Sequence, residues 1–102
     1  MRKITKDIRD AFLARKKRSI GNTFTDGENV WLHGNKIVRR DEFGKIFCTL
    51  AGWNTPTTRE RVNGITGSDF HQKNFVAMLG GSPIDPEAVS YTHLTLPTSD
   101  LV

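Results

Sequence analysis

The chain has 102 residues, 36% of them apolar and 25% charged, with a formal net charge of +4. That length admits one domain at most, small enough to fold alone with little margin. A single cysteine, Cys48, excludes an intramolecular disulfide and any zinc site built on several thiolates.

The lone thiol fits a reducing, cytosolic setting. Arg2 and Lys3 stand at the front, but the longest apolar run near them is Ala11-Phe12-Leu13-Ala14. That is too short for a signal peptide core or a membrane span. The charge is uneven. Residues 1–18 carry eight basic groups and two acidic ones, whereas the rest of the chain is slightly acidic. A local cationic surface is therefore implied, not a general one.

In chain order, residues 4–17 are expected to form an amphipathic helix. Ile4, Ile8, Ala11 and Phe12 share one face, with the cap at Thr5 or just before it. Arg15-Lys16-Lys17-Arg18 falls at its C-terminal end, where the helix dipole favours cations. Ser19 to Asn22 break the pattern. Four strands follow: Thr23–Thr25, Asn29–His33, Lys36–Arg40 and Lys45–Leu50. Turns at Asp26-Gly27, Gly34-Asn35 and Asp41–Gly44 join them. Connections this short give an antiparallel meander. In the fourth strand Ile46, Cys48 and Leu50 alternate onto one face.

After Ala51-Gly52-Trp53-Asn54, the run Thr57-Thr58-Arg59-Glu60 reads as a capping box that opens a short helix ending at Gly64. Asp69–Lys73 and Phe75–Leu79 read as two short strands around Asn74, or as one bent strand. Gly80-Gly81-Ser82-Pro83 closes the ordered region. The expected fold is α+β: an N-terminal amphipathic helix on an antiparallel four-stranded meander, then a short capped helix and a terminal strand or hairpin. Residues 1–82 form the domain, and 83–102 are linker and tail.

The tail stands apart. Residues 89–102 resemble a translated sequencing adapter of the kind that ends open reading frames on fragmentary metagenomic contigs, the carrying string being Val89-Ser90-Tyr91-Thr92-His93-Leu94-Thr95-Leu96-Pro97-Thr98. By pattern alone, Tyr91–Leu96 also reads as a strand.

No catalytic constellation stands out. Cys48 shares a face with Ile46 and Leu50, which makes it a structural thiol rather than a nucleophile. His33 lies beside a glycine turn and His71 in a short strand; neither has ligand spacing, and no glycine pattern matches a phosphate loop. The expectation is a non-enzyme without metal or cofactor. Nucleic acid is the leading ligand class, with Arg9, Arg15, Lys16, Lys17, Arg18 and Arg59 as polyanion contacts and Trp31, Trp53 or Phe75 as stacking platforms, although Trp53 reads first as a core or helix-packing residue. The helix start at Thr57-Thr58 is a further place for an anion. Arg59 and Asn63 share a helix face, whereas Arg61 points elsewhere. A host or phage protein is the alternative partner.

The body resembles a group of small proteins from tailed phages and related metagenomic contigs. The resemblance rests on Gly21-Asn22-Thr23, Leu32-His33-Gly34-Asn35-Lys36-Ile37, the run from Ala51 to Asn63, and Gln72-Lys73-Asn74. Members of that group usually end in a strand–turn–strand with an aromatic pair, which Phe75–Gly81 here lacks. The resemblance implies a phage origin, and with it the cytoplasm of an infected bacterium. It implies no activity.

Overall fold

A computed structural model describes residues 1–92. Helix α1 spans Lys3–Leu13 and helix α2 spans Pro56–Thr66. Strands β1 (Arg18–Ile20), β2 (Thr23–Thr25), β3 (Asn29–Leu32), β4 (Asn35–Arg40), β5 (Ile46–Cys48) and β9 (Ser90–Thr92) form one antiparallel sheet in the order β1-β2-β3-β4-β5-β9. Strands β6 (Phe70–Lys73), β7 (Val76–Leu79) and β8 (Ser82–Pro83) form a second, three-stranded sheet. The α+β class and the meander are as the sequence predicts, but the main sheet has six strands rather than four.

The extra strand at the front arises because α1 stops early. Its apolar stripe ends at Phe12, Ala14 caps it, and Arg15 turns the chain at φ 56°. Arg18–Ile20 then pairs with β2 across a Gly21-Asn22 turn, with Gly21 at φ 58°. Ile20 thereby reaches the core, which a helix running to residue 17 would not allow. Nor does Thr5 cap α1. The N-cap is Arg2, without a side-chain bond, and Thr5 is fully buried deeper in the fold.

Between β3 and β4 the register slips at Val30/Trp31, so Val30 faces Val38 while Trp31 faces Lys36. The bulge leaves Ile37 as the extra residue and turns both Ile37 and Val38 inward. Strict alternation would have exposed one of them. The core is Ile8 and Phe12 of α1, Val62 and Ile65 of α2, and the inward residues of β3, β4 and β5, including Val30, Leu32, Ile46 and Cys48. Phe70 and Ala77 extend it into the second sheet.

The capping box is not the one expected. Thr55 is the N-cap of α2 and its hydroxyl accepts the Thr58 amide at 3.2 Å, with Pro56 at the first helical position. Glu60 is thereby released to accept from the Thr5 hydroxyl at 2.6 Å. The helix also runs past Gly64 and ends at Gly67, whose φ of 75° is the left-handed cap. Gly64 serves a different purpose: a methyl group there would overlap Cγ2 of Thr5, so the missing side chain lets α1 and α2 approach closely.

Asn74 and Phe75, both at positive φ, form the tight turn between β6 and β7, so this stretch is a hairpin and not one bent strand. Residues 83–92, read from the sequence as linker and tail, run back along the body. Ile84 donates to Ala77 at 2.9 Å, Gly52 donates to Pro86 at 3.0 Å, and β9 pairs with β5. The reading of residues 89–102 as adapter-derived falls, from His93 onward, outside the described residues.

Candidate nucleic-acid interface

Alternation along β2–β5 sorts the side chains to two faces. The inner face holds the core and is covered by α1 against β1 and β2 and by α2 against β4 and β5. The outer face presents Phe24, Trp31, Lys36, Arg39 and Phe47, each half-buried or exposed. Phe24 and Trp31 are register partners on β2 and β3, with ring centroids 5.3 Å apart. Lys36, opposite Trp31 on β4, places its ammonium 5.5 Å from that ring. Arg39, opposite Phe47 on β5, sets its guanidinium 4.5 Å from the Phe47 ring. Two aromatic surfaces, each beside a cation, thus stand on one sheet face. Tyr91 of β9 adds a third ring 5.8 Å from Phe47, within the stretch that resembles an adapter.

The sequence singles out only Trp31 from this set. Phe24, Lys36, Arg39 and Phe47 look like ordinary strand residues until register aligns them. The signal that could have found them is the outward half of the alternation, read across all four strands at once.

The predicted polyanion contacts lie apart from the aromatic ladder. Arg15 donates to Glu28 at 2.7 Å, and Arg18 lies 4.0 Å from Asp7. Lys3 and Lys6 pair with Asp7 and Asp10. The Lys3 hydrogen bond holds the Asp7 carboxyl below its usual range; burial opposes it, and the charges of Lys3, Arg18 and Lys6 add to it in smaller measure. Much of the positive charge around α1 is therefore already answered by carboxylates. Lys16 and Lys17 are exposed and make no ion pair among the described residues. Arg9 is half-buried on α1. Arg59 belongs to α2, where it donates to Asn54 at 2.5 Å and to Gln72 at 3.3 Å. The cluster Arg15–Arg18 nonetheless leads straight into β1, whose Ser19 is the register partner of Phe24.

Of the other candidates, Arg61 is 3% exposed and hydrogen-bonded within the fold. The Thr58 amide at the start of α2 is taken by Thr55. Cys48 is buried, and burial pushes its thiol up from 9.0 against weaker hydrogen bonds from Ser68 and Thr66. His33 contacts Asn22, and His71 lies beside Asp69. Among the described residues, no three His, Cys, Asp or Glu side chains group as metal ligands, and no helix is long and apolar enough to cross a membrane.

Fold and surface together define a small α+β domain with an open sheet face of aromatic and basic side chains. The chain belongs to the Kyanoviridae Gp96 protein family, a phage family, whose model matches residues 1–93. The phage origin implied by the sequence resemblance follows. No curated protein and no solved structure gives a significant match.

Proposed function

We propose that this phage protein is a non-catalytic accessory protein that binds single-stranded nucleic acid on the outer face of its main sheet, in the cytoplasm of the infected host. The carrying observation is the pair of aromatic surfaces, Phe24–Trp31 and Phe47, each beside a cation, Lys36 or Arg39. Aromatic platforms take successive bases by stacking while cations track the backbone. Lys16 and Lys17, just before the edge strand β1, supply further phosphate contacts, and Arg9, Arg15, Arg18 and Arg59 contribute to the surrounding field. Stacking of this kind is tolerant of sequence, so the expected specificity is for single strands. Tyr91 is not needed for the reading, which also takes residues 89–102 to be adapter-derived on the strength of their resemblance.

Fluorescence anisotropy with a labelled oligothymidine, over a salt series and on chains ending at residue 88 or 102, is the test. Binding should weaken steeply with salt, and Lys36→Gln with Arg39→Gln should reduce the log–log slope by about 0.7 per cation removed. Trp31→Ala should weaken binding by about 1–3 kcal/mol. An unchanged slope and affinity in these variants would retire the sheet face as the interface.

A protein partner is the second reading. It is favoured by Phe75, which is 91% exposed at the tip of the β6–β7 hairpin in a left-handed conformation with φ 65°. A bulky residue held there carries about 1–3 kcal/mol of backbone strain, of the kind that clusters at functional sites. A co-purifying protein that survives nuclease and moderate salt, and is lost on Phe75→Asn, would favour this reading.

A further inference from the structure

Three separated stretches converge beside the N-terminus of α2. The end of the β3–β4 hairpin contributes Leu32, Asn35 and Ile37, the segment after β5 contributes Leu50 and Trp53, and the first turn of α2 contributes Thr57. They enclose a pocket of about 420 Å³, within the range of small-molecule sites. Its floor is apolar, because Leu32, Ile37 and Leu50 are all buried. One wall is the indole of Trp53, 55% exposed although it is large and apolar. The side chains of Asn35 and Thr57 make no hydrogen bond within the described residues, so both have donors and acceptors to offer.

We infer that this pocket holds one nucleobase, stacked on Trp53 and hydrogen-bonded through the edge groups of Asn35 and Thr57. A base matches the lining: it has flat faces for the indole and the apolar floor, and a polar edge for a carboxamide and a hydroxyl. A purely apolar ligand would leave Asn35 and Thr57 facing it unsatisfied. The location strengthens the assignment, a step that rests on the nucleic-acid reading above. Asn35, Lys36 and Ile37 are consecutive in β4. Asn35 and Ile37 line the pocket while Lys36 stands beside Trp31 on the opposite face. The pocket and the Phe24–Trp31 surface thus lie on opposite faces of one hairpin, around whose Gly34 turn a bound strand would pass. The base is either one nucleotide of such a strand or a free nucleotide.

The two tryptophans make the test direct, since each gives its own indole N–H signal by nitrogen-edited NMR. The full chain is titrated with each of the four ribonucleoside 5′-monophosphates, and separately with an oligonucleotide. The expected result is a saturable shift of the Trp53 indole, with that of Trp31 unmoved, for at least one monophosphate below ~10 mM. Trp53→Ala and Asn35→Ala should each weaken that binding about fivefold or more, read on the Leu50 amide. Trp53 is exposed, so its truncation leaves the core intact. Absence of any saturable Trp53 shift overturns the pocket assignment, as does an affinity indifferent to both substitutions. The oligonucleotide arm keeps the two readings apart. A shift at Trp31 with none at Trp53 in either titration sustains the sheet face and removes the pocket. A Trp53 response to monophosphates without oligonucleotide binding sustains the pocket and removes the sheet face.

Discussion

Nε of Arg61 donates to the hydroxyl of Thr23 at 3.1 Å, joining α2 to β2 across 38 positions of sequence. The same guanidinium donates from Nη1 to Thr5 on α1 at 3.2 Å and to the neighbouring carboxylate of Glu60. Thr5 donates in turn to Glu60. One buried charge thus ties both helices to the sheet, with its neutralising partner, Glu60, 28% exposed. Removing the guanidinium leaves the fully buried hydroxyls of Thr5 and Thr23 short of a partner, at about 1–3 kcal/mol for each buried polar group left unsatisfied, while Glu60 keeps some contact with water. Arg61→Ala should therefore lower the urea midpoint sharply. Arg61→Lys should not restore it, since a single ammonium lacks the fork that reaches Thr23 and Thr5 together. A midpoint within error of wild type for either variant would show the network to be incidental.

Gly27 sits at φ 97° in the turn between β2 and β3, and a Cβ there would lie 2.7 Å from the carbonyl carbon of Arg15. Its own carbonyl accepts from Arg40 at 2.6 Å, while Arg40 also donates to the Phe12 carbonyl at the end of α1. The turn is thus seated on the chain that leaves α1. Gly27→Ala should cost about 1–3 kcal/mol for the backbone conformation, and more for displacing Arg15. Gly34→Ala is the control, because Gly34 has φ 80° but no atom within 4 Å of the added carbon. Equal losses of melting temperature in the two variants would mean that the Arg15 contact adds nothing.

The parts of the fold that were legible in the sequence are those set by local rules. The Asp26-Gly27 turn, the alternation of Ile46, Cys48 and Leu50, and the Ile8–Phe12 stripe each follow from neighbours in the chain. What escaped was decided across the fold. Thr57 and Glu60 have the spacing of a capping box, yet Thr55 takes the cap and Glu60 turns to Thr5, 55 positions away. Gly64 looks like a helix stop and is a close contact between helices. Arg61 reads only as pointing away from the face of Arg59 and Asn63, and it is core. The candidate interface was half legible for the same reason: Trp31 is visible alone, but its alignment with Phe24 and Lys36 depends on register and on a bulge that nothing in β4 announces.

Asp26 gives the fold an acid limit. Burial pushes its carboxyl up, but the amides of Glu28 and Asn29, at 2.9 and 2.7 Å, and the Asn29 side chain outweigh that and hold it below 3.8. In that range the unfolded chain binds the proton and the native state does not. The stabilisation is therefore complete above the unfolded value and is lost as pH falls through the lower native one. Melting temperature should drop as pH falls below about 4. Asp26→Asn, which keeps an acceptor oxygen but cannot titrate, should be less stable at pH 7 and fall less steeply. An acid limb with the same slope in both proteins would assign it to other carboxylates.

Cys48 sets the matching alkaline expectation, with the opposite sign. Its thiol is buried in β5, 3.7 Å from the Ser68 hydroxyl, and burial raises it above 9.0. Above the unfolded value the unfolded chain releases the proton while the native state keeps it, so native stability declines as pH rises. Thiolate is also the reactive form, and here it is both scarce and shielded. A disulfide reagent at pH 8 should label the native protein far more slowly than the urea-unfolded chain. The labelling rate should rise with urea as the protein opens. The chain ending at residue 88 should keep most of this protection. Cys48 points into the core toward Ser68, whereas β9 pairs with the edge of β5 and meets Ser68 through Thr92, which accepts from that hydroxyl at 3.4 Å. Rapid labelling of the full native chain would contradict the buried position, and rapid labelling of the shortened chain alone would make β9 the element that closes the core at this end.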